Sequence, residues 1–189
     1  MNDIVEQQLI RLASDSPDIS EDARNWFLSQ DPKIASVVAE GLTDSRLGAV
    51  CHGRILLLLR QFAQEETLPS ILKALDRALQ QRDVISLPFA MEALAVFHVP
   101  AASQALVRLL DDSDPDVVKH AAVLSGQTGD PEVMEPLLRL LRNASPSLRY
   151  SAAEGLISLG GPSVQNALRQ HLANETDHEV RSLILSADK

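Results

Sequence analysis

Apolar residues recur along this chain at a helical spacing rather than in the strict alternation of a strand. In "PEVMEPLLRLL" (131–141), Val133, Leu137 and Leu141 fall at i, i+4 and i+8, one stripe along a single helix face. Ile71, Leu75 and Leu79 make the same stripe two steps earlier, Leu106 and Leu110 one step earlier, and Val164, Leu168 and Leu172 one step later. Short polar segments carrying proline or glycine separate the stripes. The pattern predicts helices at 3–13, 20–29, 32–41, 44–64, 68–81, 85–97, 100–111, 115–128, 131–142, 146–158, 162–172 and 177–187. In the first of these, Ile4, Val5, Leu9 and Leu12 share one side and Asp3, Glu6 and Arg11 the other.

The stripes belong to a repeat. Pro69, Pro100, Pro131 and Pro162 stand 31 residues apart, and Pro115 and Pro146 form a second register with the same step. "DPDVVKHAAVLSGQTGDPEVMEPLLRLL" aligns with "SPSLRYSAAEGLISLGGPSVQNALRQHL" without a gap, placing Ala121 and Ala122 on Ala152 and Ala153, Leu137 on Leu168 and Leu141 on Leu172. These eight residues are the expected core. Each unit reads as two short helices. Asp114 and Ser145 are N-cap candidates, each followed by a proline whose missing N–H costs nothing at the first helical position. Gly129 and Gly160 suit a positive-φ residue where the first helix stops, and Pro131 and Pro162 restart the chain as the second helix. Pro88 falls within the phase of a first helix, so that helix is expected either to begin late, near Ser86, or to be kinked.

A helix pair of this size cannot bury both faces alone, so neighbouring pairs must stack. The expected fold is all-α, a right-handed α-α superhelix of about twelve short helices. Residues 1–43 read as N-terminal capping helices and 44–189 as the repeat array, together one continuous domain. "SDSPDIS" (14–20) reads as a loop and a candidate hinge between cap and array.

The run D-P-x-V-x-x-x-A-A, followed by G-D-P-E and L-L-R-L-L, resembles HEAT repeats, and most of all the short class found in phycobilisome lyases and many bacterial scaffold proteins. The resemblance is strong over 112–187 and fair over 44–111; before residue 44 it rests mainly on helix count. Val118 departs from it, standing where such repeats place an arginine that Arg149 and Arg181 keep. The resemblance implies that the second helices line a concave surface, and that the chain works by binding another protein. A second implication, from the lyases alone, is a subunit that attaches or removes bilin chromophores, which would need a large apolar cleft with arginines.

Composition narrows the choices. The chain is 45% hydrophobic but only 3% aromatic, with Ala and Leu supplying most of the apolar mass, which favours helices. Its net charge of −9 repels phosphate backbones, so no nucleic-acid partner is expected. HEAT-like DNA glycosylases need a cationic channel, whereas here Asp111, Asp112, Asp114, Asp116, Asp130, Glu132 and Glu135 crowd the repeat junctions. The longest apolar run, "ILLLL" at 55–59, is far too short to cross a bilayer. With no signal-peptide pattern at the N-terminus, a cytoplasmic location and no membrane partner are expected. The single cysteine, Cys51, cannot form an internal disulfide and reads as a buried small residue, with His52 and Arg54 the only hint of a reactive thiol.

Catalytic signals are thin, so no cofactor and no catalytic or metal-binding residue is expected. The sequence has no metalloprotease, nucleophile-elbow or phosphate-loop pattern. His178–Glu179 is one His–Glu pair where HEAT-like di-iron hydroxylases need several, and His120 and His171 lack ligand spacing. Trp26 and Phe27 read as core. The most informative feature is a row of polar residues on the second helices. Arg77, Arg108 and Arg139 are 31 apart, and Gln170 continues the row with Arg169 beside it. One turn earlier on the same face lie Lys73, Gln104, Glu135 and Asn166. Two readings stand: a solvated helix face with Glu135 and Arg139 as a local pair, or a surface that holds an acidic segment of a partner protein. The functional expectation is a noncatalytic adaptor or scaffold that uses these nine residues.

Overall fold

The computed structural model describes residues 3–187 and contains, among them, twelve α-helices and no strand. The helices are α1 (Asp3–Leu12), α2 (Pro17–Leu28), α3 (Ile34–Glu40), α4 (Gly48–Phe62), α5 (Leu68–Gln81) and α6 (Ser86–Ala95), then α7 (Pro100–Arg108), α8 (Pro115–Gln127), α9 (Met134–Leu140), α10 (Pro146–Leu159), α11 (Pro162–Leu172) and α12 (His178–Ala187). The chain divides into two compact units, residues 1–97 with α1–α6 and residues 98–189 with α7–α12.

Proline opens five of the twelve described α-helices. Pro17, Pro100, Pro115, Pro146 and Pro162 each open an α-helix, and α6 begins at Ser86 with Pro88 in its first turn, as its sequence predicts. Asp114 caps α8, its carboxylate accepting the Asp116 N–H at 2.9 Å. Ser145 makes no such cap to α10; its hydroxyl lies 3.0 Å from that of Ser147 instead. Gly129 and Gly160 have φ of +70° and +71°, the positive values expected where first helices stop.

Several boundaries differ from the sequence expectation, each for a local reason. Pro17 starts α2 three residues before 20, so the 14–20 loop is shorter than expected and its second half is helical. Residues 44–47 do not belong to α4; Ser45–Leu47 is a 3₁₀ turn, and Gly48 at φ +65° breaks the path into the helix. Pro131–Val133 is likewise a 3₁₀ turn rather than the start of an α-helix. Pro136 has no N–H to offer the Glu132 carbonyl, so the α pattern cannot extend back through it. α7 stops at Arg108 and runs out in the 3₁₀ turn Leu109–Asp111.

In the first unit α6 packs on α4 and α5, and α1 on α2. Leu9, Leu12, Phe27, Ile55, Leu56, Leu59, Ile71, Leu75, Met91 and Leu94 are fully buried there. Ile4 departs from the expected apolar side of α1 and is exposed. Trp26 is half-buried, its ring edge-on to Phe27 at 5.1 Å.

In the second unit the dominant packing is α8 against α10, with α12 on the other side of α10. Small residues let the α8 and α10 backbones approach closely. A Cβ added to Gly126 would lie 1.8 Å from the Gly155 carbonyl oxygen, and one on Gly155 2.2 Å from that of Ala122. Of the expected core, Ala121, Ala122, Leu137, Leu141, Ala152, Ala153 and Leu168 are buried, while Leu172, the last residue of α11, is half-buried.

Candidate functional site

The helix period puts Gln104 and Arg108 one turn apart on α7, Glu135 and Arg139 on α9, and Asn166 and Gln170 on α11, with Arg169 adjacent. All seven side chains are exposed. The buried residues of the same segments, Ala102 and Leu106 on α7, Val133 in the 3₁₀ turn before α9 with Leu137 on it, and Val164 and Leu168 on α11, hold these polar residues on the opposite side. The second unit therefore presents a polar face on three successive second helices of the repeat.

The first unit treats its two members of the row differently. Lys73 is exposed, but Arg77 is half-buried, with its Nη2 3.3 Å from His52 Nδ1. A guanidinium can only donate, so Nδ1 accepts, and the proton sits on Nε2, which donates to the Asp44 carbonyl at 3.0 Å. His52 is buried, and burial holds its pKa below the ordinary histidine value. Cys51 beside it is also buried, with Sγ 3.5 Å from the Leu9 carbonyl oxygen, and burial pushes its thiol up to about 11. That environment excludes the reactive-thiol alternative.

Next to the row, the ends of α9 and α11 flank an open cleft of about 640 Å³. Arg142, Asn143, Gln170, His171 and Asn174 line it, with Arg149 and Glu175 among the inner residues. Glu175 is buried, its side chain only 1% exposed. Arg149 grips it at two points, Nε and Nη2 each 2.8 Å from a carboxylate oxygen. His171 Nε2 lies 2.8 Å from Oε2, and the Thr176 and Asp177 N–H groups donate to Oε1 at 2.9 and 2.8 Å. The bond from Arg149 outweighs burial and holds the Glu175 carboxyl far below the usual carboxylate range.

The repeat arginines serve the helix ends here. Arg149 Nη1 donates to the Asn143 and Ala144 carbonyls at 3.0 and 2.9 Å, just past α9. Arg181 Nη1 does the same for Leu172 and Glu175 at 2.8 and 2.9 Å, past α11. Arg54 repeats the device in the first unit, on the carbonyls of Leu12 and Ser14 at 2.6 and 2.7 Å. Each guanidinium satisfies terminal carbonyls and offsets the negative end of a helix dipole. Val118, without such a group, is simply buried.

Periodicity located the exposed row but not the cleft. Glu175 falls 31 residues after Ala144, so nothing in the repeat announces an acid there. Arg142 has Ala173 as its counterpart and is equally invisible to the register. The available signal was His171 and Glu175 at i, i+4 around the end of a helix. His178 and Glu179 are both exposed. Among the described residues, no three His, Cys, Asp or Glu side chains are grouped as a metal site requires, and no helix is long and apolar enough to cross a membrane.

Comparison with known proteins agrees with this architecture. A family model described as HEAT repeats matches residues 124–187. A search of curated proteins found no match. A designed armadillo repeat protein, solved in complex with the peptide (KR)4, is similar with a TM-score of 0.57 at 18% identity, covering 100% of both chains. An engineered protein gives a TM-score of 0.55 at 21% identity, over 100% of this chain and 96% of that one. Human deoxyhypusine hydroxylase gives 0.50 at 17% identity, over 97% of this chain and 82% of that one. At these identities the structural likenesses bear on fold alone. Residues 124–187 match the model of HEAT repeats, and the chain has the all-helical fold of armadillo- and HEAT-type repeat proteins.

Proposed function

We propose that this chain is a noncatalytic adaptor that binds an acidic segment of another protein along the exposed face of α7, α9 and α11. The observation that carries the reading is the placement of Arg108 and Arg139, exposed and in phase on successive second helices of a chain whose net charge is −9. Neighbouring helices pack about 8–10 Å apart, and an extended peptide rises about 3.3 Å per residue. Acids roughly three residues apart on the partner would then meet successive arginines. Each exposed pair contributes only about 0.2–1 kcal/mol, but the planar guanidinium fixes carboxylate geometry at two points. Several in register set orientation and on-rate more than raw affinity. The designed armadillo neighbour was solved with a basic peptide; the same kind of fold carrying arginines suits the opposite charge. In this reading Lys73, exposed on α5, is a contact that the first unit offers by itself, and residues 1–43 are the capping helices of that unit.

A fluorescein-labelled peptide of repeated Glu-Ala-Ala, followed by anisotropy at low and moderate salt, tests the reading. Binding that weakens with salt and is abolished by Arg108→Glu with Arg139→Glu supports it. Unchanged binding by a normally folded double variant refutes the arginine face.

A further inference from the structure

We infer that the cleft between the ends of α9 and α11 is a carboxylate subsite, which receives one acidic side chain of the segment held on the neighbouring helices; this deepens the proposed function and rests on it. The cleft adjoins the row directly, since Gln170 belongs to both. Its volume of about 640 Å³ is ample for one extended side chain, and its open mouth admits a chain that continues along the surface.

The charge inside is settled before any ligand arrives. Glu175 is the one acid lining the cleft, and it is already matched by both arms of Arg149, by His171 and by two backbone N–H groups. The carbonyls past α9 and α11 would otherwise present the negative ends of two dipoles, but Arg149 and Arg181 donate to them. Arg142, exposed at the mouth, therefore brings positive charge that the inner cluster does not use. Asn143, Gln170 and Asn174 add amide donors around it. A basic side chain would meet Arg142 and Arg149 and no uncommitted acid; an apolar one would bury these amides unsatisfied. A carboxylate fits both the charge and the donors.

The test uses the full chain and the Glu-Ala-Ala peptide, with each glutamate replaced in turn by glutamine. Arg142→Ala should weaken binding about fivefold, equivalent to about 1 kcal/mol, with the helical circular dichroism unchanged because Arg142 is exposed. One glutamine replacement should cost the same factor against the wild-type chain and nothing further against Arg142→Ala, because the two share one contact. If binding is lost on reversing Arg108 and Arg139 but Arg142→Ala binds as tightly as wild type, the row stands and the subsite is wrong. A loss on Arg142→Ala that couples to no particular glutamate also overturns it, since that marks diffuse charge alone. If the row reversal leaves binding intact, the underlying reading fails and the subsite with it.

Discussion

Glu175 and Arg149, 26 residues apart in sequence, meet side by side through two bonds of 2.8 Å, with the carboxylate only 1% exposed and the guanidinium 13%. The pair links the loop before α12 to the first turn of α10, and the same arginine covers the carbonyls after α9. One side chain thus fixes three segments at the junction of successive helix pairs. The cost of burying two charges is offset only because every oxygen of Glu175 is met by a donor.

Removing one partner from such a pair leaves a buried charge unmatched, which typically costs about 3–5 kcal/mol. Glu175→Ala is therefore expected to lower the stability of the chain by about 3 kcal/mol in urea unfolding monitored by circular dichroism. A loss below about 1 kcal/mol would show that water already satisfies Arg149. The pH dependence follows from the lowered pKa. Above the ordinary glutamate value of 4.5 both folded and unfolded forms are ionised, and the contribution is complete. As pH falls below that value the unfolded chain takes up the proton first, so stability is lost progressively toward the depressed folded pKa. Glu175→Gln should flatten this segment of the acid-unfolding curve.

His52 gives an opposite-charge counterpart in the first unit. Its imidazole is held neutral by burial and by the Arg77 charge facing Nδ1, while the bond to the Asp44 carbonyl and the charge of Asp83 favour the cation. Burial wins, so the folded pKa lies below 6.5. Stability from this residue is present above 6.5 and is lost as pH falls through the folded value, because the unfolded chain binds the proton more readily. ¹⁵N-detected NMR at neutral pH should show the Nε2–H tautomer and a titration midpoint below 6.5. A midpoint above that value would contradict the arrangement.

Gly126 sets two effects against each other. In a helix interior Gly→Ala normally stabilises by about 1 kcal/mol. Here the new methyl would stand 1.8 Å from the Gly155 carbonyl oxygen, which is backbone and cannot rotate away, so α8 and α10 must separate. Overpacking of this kind costs about 1–3 kcal/mol or more, and the steric term wins. Gly126→Ala should lower the midpoint of thermal unfolding; an unchanged or raised midpoint would show that the two helices can part easily.

The repeat made the fold legible. Residues kept in phase by the 31-residue step, such as Leu137 and Leu168, are buried as expected, because stacked units present the same face to the same neighbours. The exposed row was legible for the same reason. What the periodicity could not carry were features that break it. The start of α9 breaks the period because Pro136, which has no counterpart in the 31-residue register, sets it rather than Pro131. Glu175 and Arg142 lie in the variable stretch between units, where no stripe points to them. The half-burial of Arg77 against His52 depends on two residues 25 apart on different helices and on a tautomer, neither of which a helical period encodes.

The proposed adaptor role turns on which face of the second unit meets the partner. Titrating ¹⁵N-labelled chain with the Glu-Ala-Ala peptide and mapping the amide shifts reads that directly. The expected result is a continuous set of perturbed residues on α7, α9 and α11, including Arg108, Arg139 and Gln170 and reaching Arg142. Perturbations confined to α8, α10 and α12 would contradict it.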